Sequence, residues 1–257
     1  MNAMVMSVAN QKGGVGKTTS ALNIALYISE SGFNTLLIDL DPQANATSGI
    51  GMDLTKIRHS IYDVMSGDEA VCDCIYPTPF DRLHLLPSNA QLSGADVELS
   101  TMVSRETILK QRLAPIRHSY DVILIDCPPS LSLLTLNAFS FTDQLIIPLQ
   151  CEYFALEGLA KLLNTVDLVN QRINPSLNIL GIVLTMFDSR TSLNRQVALN
   201  ARSHFKDVIF NTVIPRNIRL AEAPSFGLPI ALYAPSSSGS IAYHHLTKEV
   251  LHRAKLA

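Results

Sequence analysis

The segment Gln11-Lys12-Gly13-Gly14-Val15-Gly16-Lys17-Thr18-Thr19 constrains this chain more than any other stretch. It follows an apolar run at residues 5–9 and opens a helix-patterned stretch at 18–31. Glycines let the backbone bend so that successive N–H groups converge on phosphate oxygens, and the start of the helix adds its positive end. The Gly-Lys-Thr ending completes the device. Lys17 offers a point charge to β- and γ-phosphates and Thr18 a hydroxyl ligand for Mg²⁺, which predicts ATP and Mg²⁺ as ligands. The expected nucleotide-binding set is Lys12, Gly13, Gly14, Val15, Gly16, Lys17, Thr18 and Thr19. One feature is irregular: the first position of the ordinary G-x-x-x-x-G-K-[ST] pattern is Gln11, and an additional lysine, Lys12, follows it.

The rest of the pattern fits that loop. Short apolar runs at residues 5–9, 35–40, 83–86, 122–126, 144–149, 179–186 and 208–214 alternate with longer helical stretches. This predicts an α/β fold, a mostly parallel central sheet with helices on both faces, as a single domain over residues 1–257. Leu156, Leu159, Leu163, Val166, Val169 and Ile173 recur at spacings of three and four, one apolar face of a crossover helix. Residues 235–239 read as a loop before a last helix at about 240–255.

Two of the expected strands end in acids. Leu36-Leu37-Ile38-Asp39-Leu40-Asp41-Pro42-Gln43 sets Asp39 and Asp41 at the C-terminal edge of the sheet, where open α/β folds bind ligands. Tyr120-Asp121-Val122-Ile123-Leu124-Ile125-Asp126-Cys127-Pro128-Pro129 closes a buried strand on Asp126, and an ionised acid at that depth needs a partner. Mg²⁺ held through water is the expected one, with Thr18 and Asp126 fixing it between β- and γ-phosphates.

Global charge points to no polyanionic partner, because charged residues make up 16% of the chain and the net charge is −2. The balance is uneven, however: residues 151–257 hold 11 Lys/Arg against 7 Asp/Glu, and residues 1–150 hold 9 against 15. Arg195, Arg202 and Lys206 are spaced to share one helical face opposite Leu193, Val197 and Ala201, a stripe able to follow a phosphate chain. Cys72, Cys74, Cys127 and Cys151 form no CxxC pair and are expected as reduced thiols. The N-terminus lacks a basic leader and no apolar run is long enough to cross a bilayer, so a cytoplasmic location is expected.

The loop KGGVGKT resembles the deviant Walker A group of P-loop NTPases, which includes the ParA/Soj and MinD ATPases and nitrogenase iron protein. Ile214-Pro215-Arg216-Asn217-Ile218-Arg219-Leu220-Ala221-Glu222-Ala223-Pro224-Ser225-Phe226-Gly227 resembles the ParA/Soj C-terminal signature, and residues 150–159 are a further ParA-like stretch. The resemblance implies that Lys12 reaches across an ATP-sandwich homodimer and, with Lys17 and Asp41, forms the catalytic set. Asp41 would help orient the attacking water and Asp39 would support the Mg²⁺ shell. Pro215 and Asn217 would line an adenine pocket, and Arg190, Arg216 and Arg219 would join Arg195 and Arg202 in sequence-independent binding of double-stranded DNA. It further implies slow hydrolysis accelerated by a ParB-type centromere-binding protein, a nucleoid-associated location, and no membrane partner. With the loop strand so near the N-terminus, the short chromosomal kind is expected.

Two other readings belong to the same group. A MinD-like membrane-surface ATPase would end in an amphipathic membrane helix, whereas residues 246–257 read as docking on the core. An electron-transfer ATPase would need two cysteine ligands per subunit for a bridging cluster, and the contexts of Cys127 and Cys151 suit ParA better.

Overall fold

The computed structural model describes residues 2–152 and 155–256. Tyr153 and Phe154, part of the ParA-like stretch, lie outside the described residues, as do Met1 and Ala257. Seven strands form one sheet: β1 Met4–Val8, β2 Thr35–Asp39, β3 Tyr76–Pro77, β4 Leu83–Leu86, β5 Val122–Asp126, β6 Gln144–Gln150 and β7 Asn178–Thr185. Their order is β3-β4-β2-β5-β1-β6-β7, and only β3 runs antiparallel to its neighbour.

Both faces are covered, and the residue-by-residue alternation of each strand decides which core a side chain enters. Val5, Leu36, Ile38, Ile123 and Ile125 face one cluster, which the helices Leu133–Phe141 and Ala155–Arg172 help to close. Met6, Val8, Leu37, Val122 and Leu124 face the other, beneath helix α1 (Lys17–Glu30) and the C-terminal helix Ser238–Arg253. The crossover helix buries Leu159, Val166 and Val169 as its spacing requires, with Leu156, Leu163 and Ile173 packed at the margin. Inside the second cluster the buried hydroxyls find partners: Ser20 Oγ lies 3.0 Å from Tyr243 Oη, and Tyr27 Oη lies 2.7 Å from Ser240 Oγ. Such pairing is what permits polar groups at that depth.

Two expectations are corrected and one strand is added. Residues 208–214 are not a strand. Phe210 N–H donates to the Ile182 carbonyl and Ile214 N–H to the Leu184 carbonyl, but between them the Glu249 carboxylate takes the N–H groups of Asn211 at 2.8 Å and Thr212 at 3.0 Å. A side chain has replaced the sheet as acceptor, leaving isolated bridges at Ile209 and Pro215. The short edge strand Tyr76–Pro77 was not foreseen, since a proline pair of residues carries no periodicity. The basic stripe loses one member: Arg195 and Arg202 share a face two turns apart, and Lys206 does not join them. Helix Ser192–Phe205 ends before Lys206, whose φ of 42° turns the chain away, and Leu193 remains 45% exposed although Val197 and Ala201 are buried.

Phe210 fixes this edge. It is fully buried, lies under the Arg253 guanidinium at 4.4 Å, and occupies the space where a Cβ on Gly181 would fall, 2.5 Å from its ring. Gly181→Ala is therefore expected to cost about 1–3 kcal/mol by overpacking, with no direct effect on the sheet's opposite end. Denaturant unfolding checks this, and an unchanged midpoint would contradict it.

Candidate functional site

The connections that leave the C-terminal ends of β1, β2 and β5 meet at one edge, because these strands are neighbours in register, with Val8 and Asp39 both opposite Asp126. The glycine loop leaves β1 there. Gly14 at φ 73° and Gly16 at φ 86° occupy the left-handed region that favours glycine. No side chain caps the start of α1 and no acid lies in its first turn, so its leading N–H groups remain available to an anion. Three contacts outside the motif hold the loop: Asn10 Nδ2 donates to the Pro148 carbonyl at 2.6 Å, Asn10 Oδ1 accepts from Lys12 N–H at 3.1 Å, and Thr185 Oγ1 donates to the Val15 carbonyl at 2.9 Å. Val15 is buried, leaving its backbone rather than its side chain to face a ligand. Gly13 and Gly14 are exposed, and Gly16, Thr18 and Thr19 half-buried.

The two lysines diverge. Lys17 is buried and its ammonium donates to the Lys12 carbonyl at 3.1 Å. Burial pushes its pKa down, opposed by the charges of Asp126 and Asp41. Lys12 is exposed at the rim and pairs with Glu152 beyond the end of β6, so its ammonium leaves its own loop.

The acids divide the work. Asp41 is buried, and its Oδ1 accepts the Gln43 N–H at 2.9 Å, capping the turn. Asp39 is wholly buried with both oxygens taken, Oδ1 by Asp41 N–H and Oδ2 by the N–H and hydroxyl of Thr47. Asp126 is wholly buried as well; among the described residues neither of its oxygens is in a full hydrogen bond, and the Thr18 hydroxyl and the Lys17 charge only partly offset its burial. Burial, then the adjacent Asp39, pushes the Asp126 carboxyl well above the usual range, and burial lifts Asp39 to about 6. A hydrated divalent cation between Thr18 and Asp126 would supply the charge and donors that Asp126 lacks, so the donor set fits Mg²⁺.

A cavity of about 380 Å³ opens beside the loop, lined by Gly16, Thr19, Thr185, Pro215, Asn217 and Tyr243 among others. The expected adenine residues are therefore next to the phosphate loop. Asn217 has a second duty: its Oδ1 caps the helix Ile218–Glu222 through Arg219 N–H at 2.8 Å, and its Nδ2 donates to Ser238 Oγ at 2.9 Å. One amide hydrogen and one lone pair are left for a base edge.

The arginines are brought together only in part. Arg190 forks onto Asp188 at 2.9 and 2.7 Å, holding that carboxyl down at about 2. Arg195 reaches the Ser189 carbonyl, and Arg216 N–H binds the Phe187 carbonyl, so these three surround one turn. Arg219 pairs with Glu222, while Arg202 lies two helical turns from Arg195, against the Asn211 carbonyl. Cys127 and Cys151 are buried thiols whose pKa burial pushes up, to about 11 for Cys151.

Asn10, Thr47, Glu152 and Thr185 were missed. Asn10 and Thr185 stand at strand ends facing the loop, a signal only topology reveals, and Thr47 and Glu152 carry no motif spacing.

The raised carboxyls set a sign. Between the ordinary 3.8 and about 6 the unfolded chain releases the Asp39 proton that the folded chain retains, so the pair's contribution falls as pH rises through that window and stays low above it. Asp126→Asn removes the neighbouring charge. The ligand-free variant is expected to melt above the parent at about pH 8 and to lose that advantage near about pH 4. Thermal melting across pH checks this; a variant less stable at high pH would contradict it.

The comparisons agree with this geometry. The AAA domain family matches residues 3–179. The sporulation initiation inhibitor protein Soj of Bacillus subtilis is 48% identical over 96% of this chain and 97% of its own length. The chromosome partitioning protein ParA of Caulobacter vibrioides is 47% identical over 98% of this chain and 95% of its own. Among solved structures, one described as cobyrinic acid a,c-diamide synthase from Mycobacterium smegmatis, with an ATP analogue and magnesium, superposes with a TM-score of 0.86 at 37% identity, covering 98% of this chain and 96% of that one. With the loop, the acids and the sheet order in place, the chain belongs to the Soj/ParA family of chromosome-partitioning P-loop ATPases.

Proposed function

We propose that this protein is an ATP- and Mg²⁺-dependent dimerising switch that grips DNA without sequence preference while it holds ATP, and releases it on hydrolysis to ADP and phosphate. The observation that carries this reading is the buried, incompletely paired Asp126 facing an uncapped helix start with Lys17 and Thr18. Mg²⁺-ATP would bring a divalent cation to Asp126 and an anion to the helix start together.

Each residue then has a task. The backbone from Gly13 to Thr19 cradles the phosphates, Lys17 neutralises them, and Thr18 and Asp126 hold the metal, with Asp39 alongside. Asp41, fixed on its turn, orients the attacking water. Lys12 leaves its exposed pair with Glu152 and reaches the phosphates of a second subunit, which makes ATP part of the dimer interface. Hydrolysis in the free protein is slow, and a ParB-type partner accelerates it. Pro215 and Asn217 receive the adenine.

Arg190, Arg195 and Arg216 around one turn, with Arg219 and Arg202 farther out, form the phosphate-binding surface for double-stranded DNA. The segment carrying Arg216 and Arg219 also lines the adenine cavity, so nucleotide and DNA bear on one stretch of chain. The membrane-surface alternative finds less support. The C-terminal helix spends Tyr243, Leu246, Val250 and Leu251 on the core, and no described helix is long and apolar enough to cross a membrane. The relatives named for chromosome partitioning favour the same choice, and with it a single-domain protein that works in the cytoplasm on the nucleoid.

Three variants separate the steps. Lys17→Ala is expected to abolish nucleotide binding in a fluorescent-ATP titration. Asp41→Ala is expected to bind ATP and remain dimeric by light scattering; normal turnover by this variant would remove Asp41 from its role. Arg216→Glu is expected to dimerise with ATP yet lose DNA in a mobility-shift assay, and undiminished DNA affinity would place the surface elsewhere.

A further inference from the structure

The turn that presents Asp41 has little to hold itself in place. Helix α2 (Asn45–Gly49), which follows it, is five residues long, too short to be stable alone, and Ala44 at its start sits at φ 52°, a left-handed conformation that costs a residue with a Cβ. What holds the loop is a buried chain of polar groups centred on Thr47. Its N–H and hydroxyl donate to Asp39 Oδ2 at 2.8 and 2.7 Å, while Asp39 Oδ1 accepts Asp41 N–H at 3.1 Å. One carboxylate thereby ties down both ends of the loop. The Thr47 hydroxyl oxygen in turn accepts the Ser88 N–H at 3.1 Å, extending the tie to the segment after β4. Asp39, Thr47 and Ser88 are each fully buried, so no water competes for these bonds.

We propose that Thr47 is a positioning residue for ATP hydrolysis, acting through Asp39 to fix where the Asp41 carboxylate stands. It is fully buried and lines no part of the cavity beside the loop. The proposal rests on the reading of Asp41 as the group that orients the attacking water. Threonine suits the position on two counts: its hydroxyl donates to Asp39 and accepts from Ser88 at once, and its methyl packs without adding a second polar group. Valine keeps the shape and removes both bonds. Serine keeps the bonds and loses only a methyl.

Steady-state ATPase kinetics on Thr47→Val and Thr47→Ser, alone and combined with Asp41→Ala, test the assignment. Thr47→Val is expected to lower kcat by roughly tenfold to a hundredfold, as for a displaced catalytic group, with ATP affinity unchanged. Thr47→Ser is expected to restore the rate, and Thr47→Val to add no further loss once Asp41 is alanine. Amide exchange at Asp41 and Ser88 is expected to quicken in Thr47→Val without nucleotide, a readout independent of turnover. If Thr47→Val does not fold, Thr47→Ala removes the same hydroxyl and carries the same expectations. Wild-type kcat in Thr47→Val or Thr47→Ala, an equal loss in Thr47→Ser, or a parallel loss of ATP affinity would overturn the proposal. Normal turnover by Asp41→Ala alone would instead remove the reading it rests on.

Discussion

Two carboxylates buried side by side govern this structure. Asp39 and Asp126 end neighbouring parallel strands in direct register, with no solvent access to either. A buried charge is tolerated only when it is paired or hydrogen-bonded. Asp39 meets that condition by recruiting the loop that follows it, and so dictates where Asp41 and Thr47 lie. Asp126 meets it only in part, through the Thr18 hydroxyl and the Lys17 charge, and burial beside Asp39 keeps its carboxyl pKa raised. Mg²⁺ and the phosphates it carries remove the deficit, so ligand binding stabilises the one arrangement in which the site is complete. A site whose buried carboxyls respond to a bound cation is suited to report whether nucleotide is present.

That report has a short path to the surface. Beyond α2 the chain passes Gly51, whose φ of 83° lets it lie against Gly227; a Cβ on Gly51 would fall 2.8 Å from the Gly227 carbonyl oxygen. Gly227 closes the segment that begins at Ile214, lines the cavity beside the phosphate loop and bears Arg216 and Arg219. The chain just beyond α2 and the end of the arginine segment are thus packed backbone to backbone. Close-packed elements transmit small displacements, because they shift between discrete arrangements rather than deform gradually.

Much of this was legible before any coordinates. The loop, the strands ending in Asp39 and Asp126, and the segment from Ile214 to Gly227 are local signals, in which spacing and residue type carry the chemistry without help from distant residues. What escaped is what depends on partners far along the chain. Glu249 diverts the N–H groups of Asn211 and Thr212, and nothing in an apolar run such as Val208-Ile209-Phe210 announces an acceptor so many residues away. The stripe through Arg195, Arg202 and Lys206 assumed a helix one residue longer than the one that forms. Thr47 and Glu152 acquire meaning only once folding sets them beside Asp39 and Lys12.

The central claim is that nucleotide controls the grip on DNA, and the direct measurement is the affinity of the unmodified protein for two unrelated duplexes, with Mg²⁺-ATP, with Mg²⁺-ADP and without nucleotide, across a salt series. Tight binding is expected with ATP only, equal for both duplexes and weakening steeply as salt rises. Binding indifferent to nucleotide, or confined to one duplex, would contradict it.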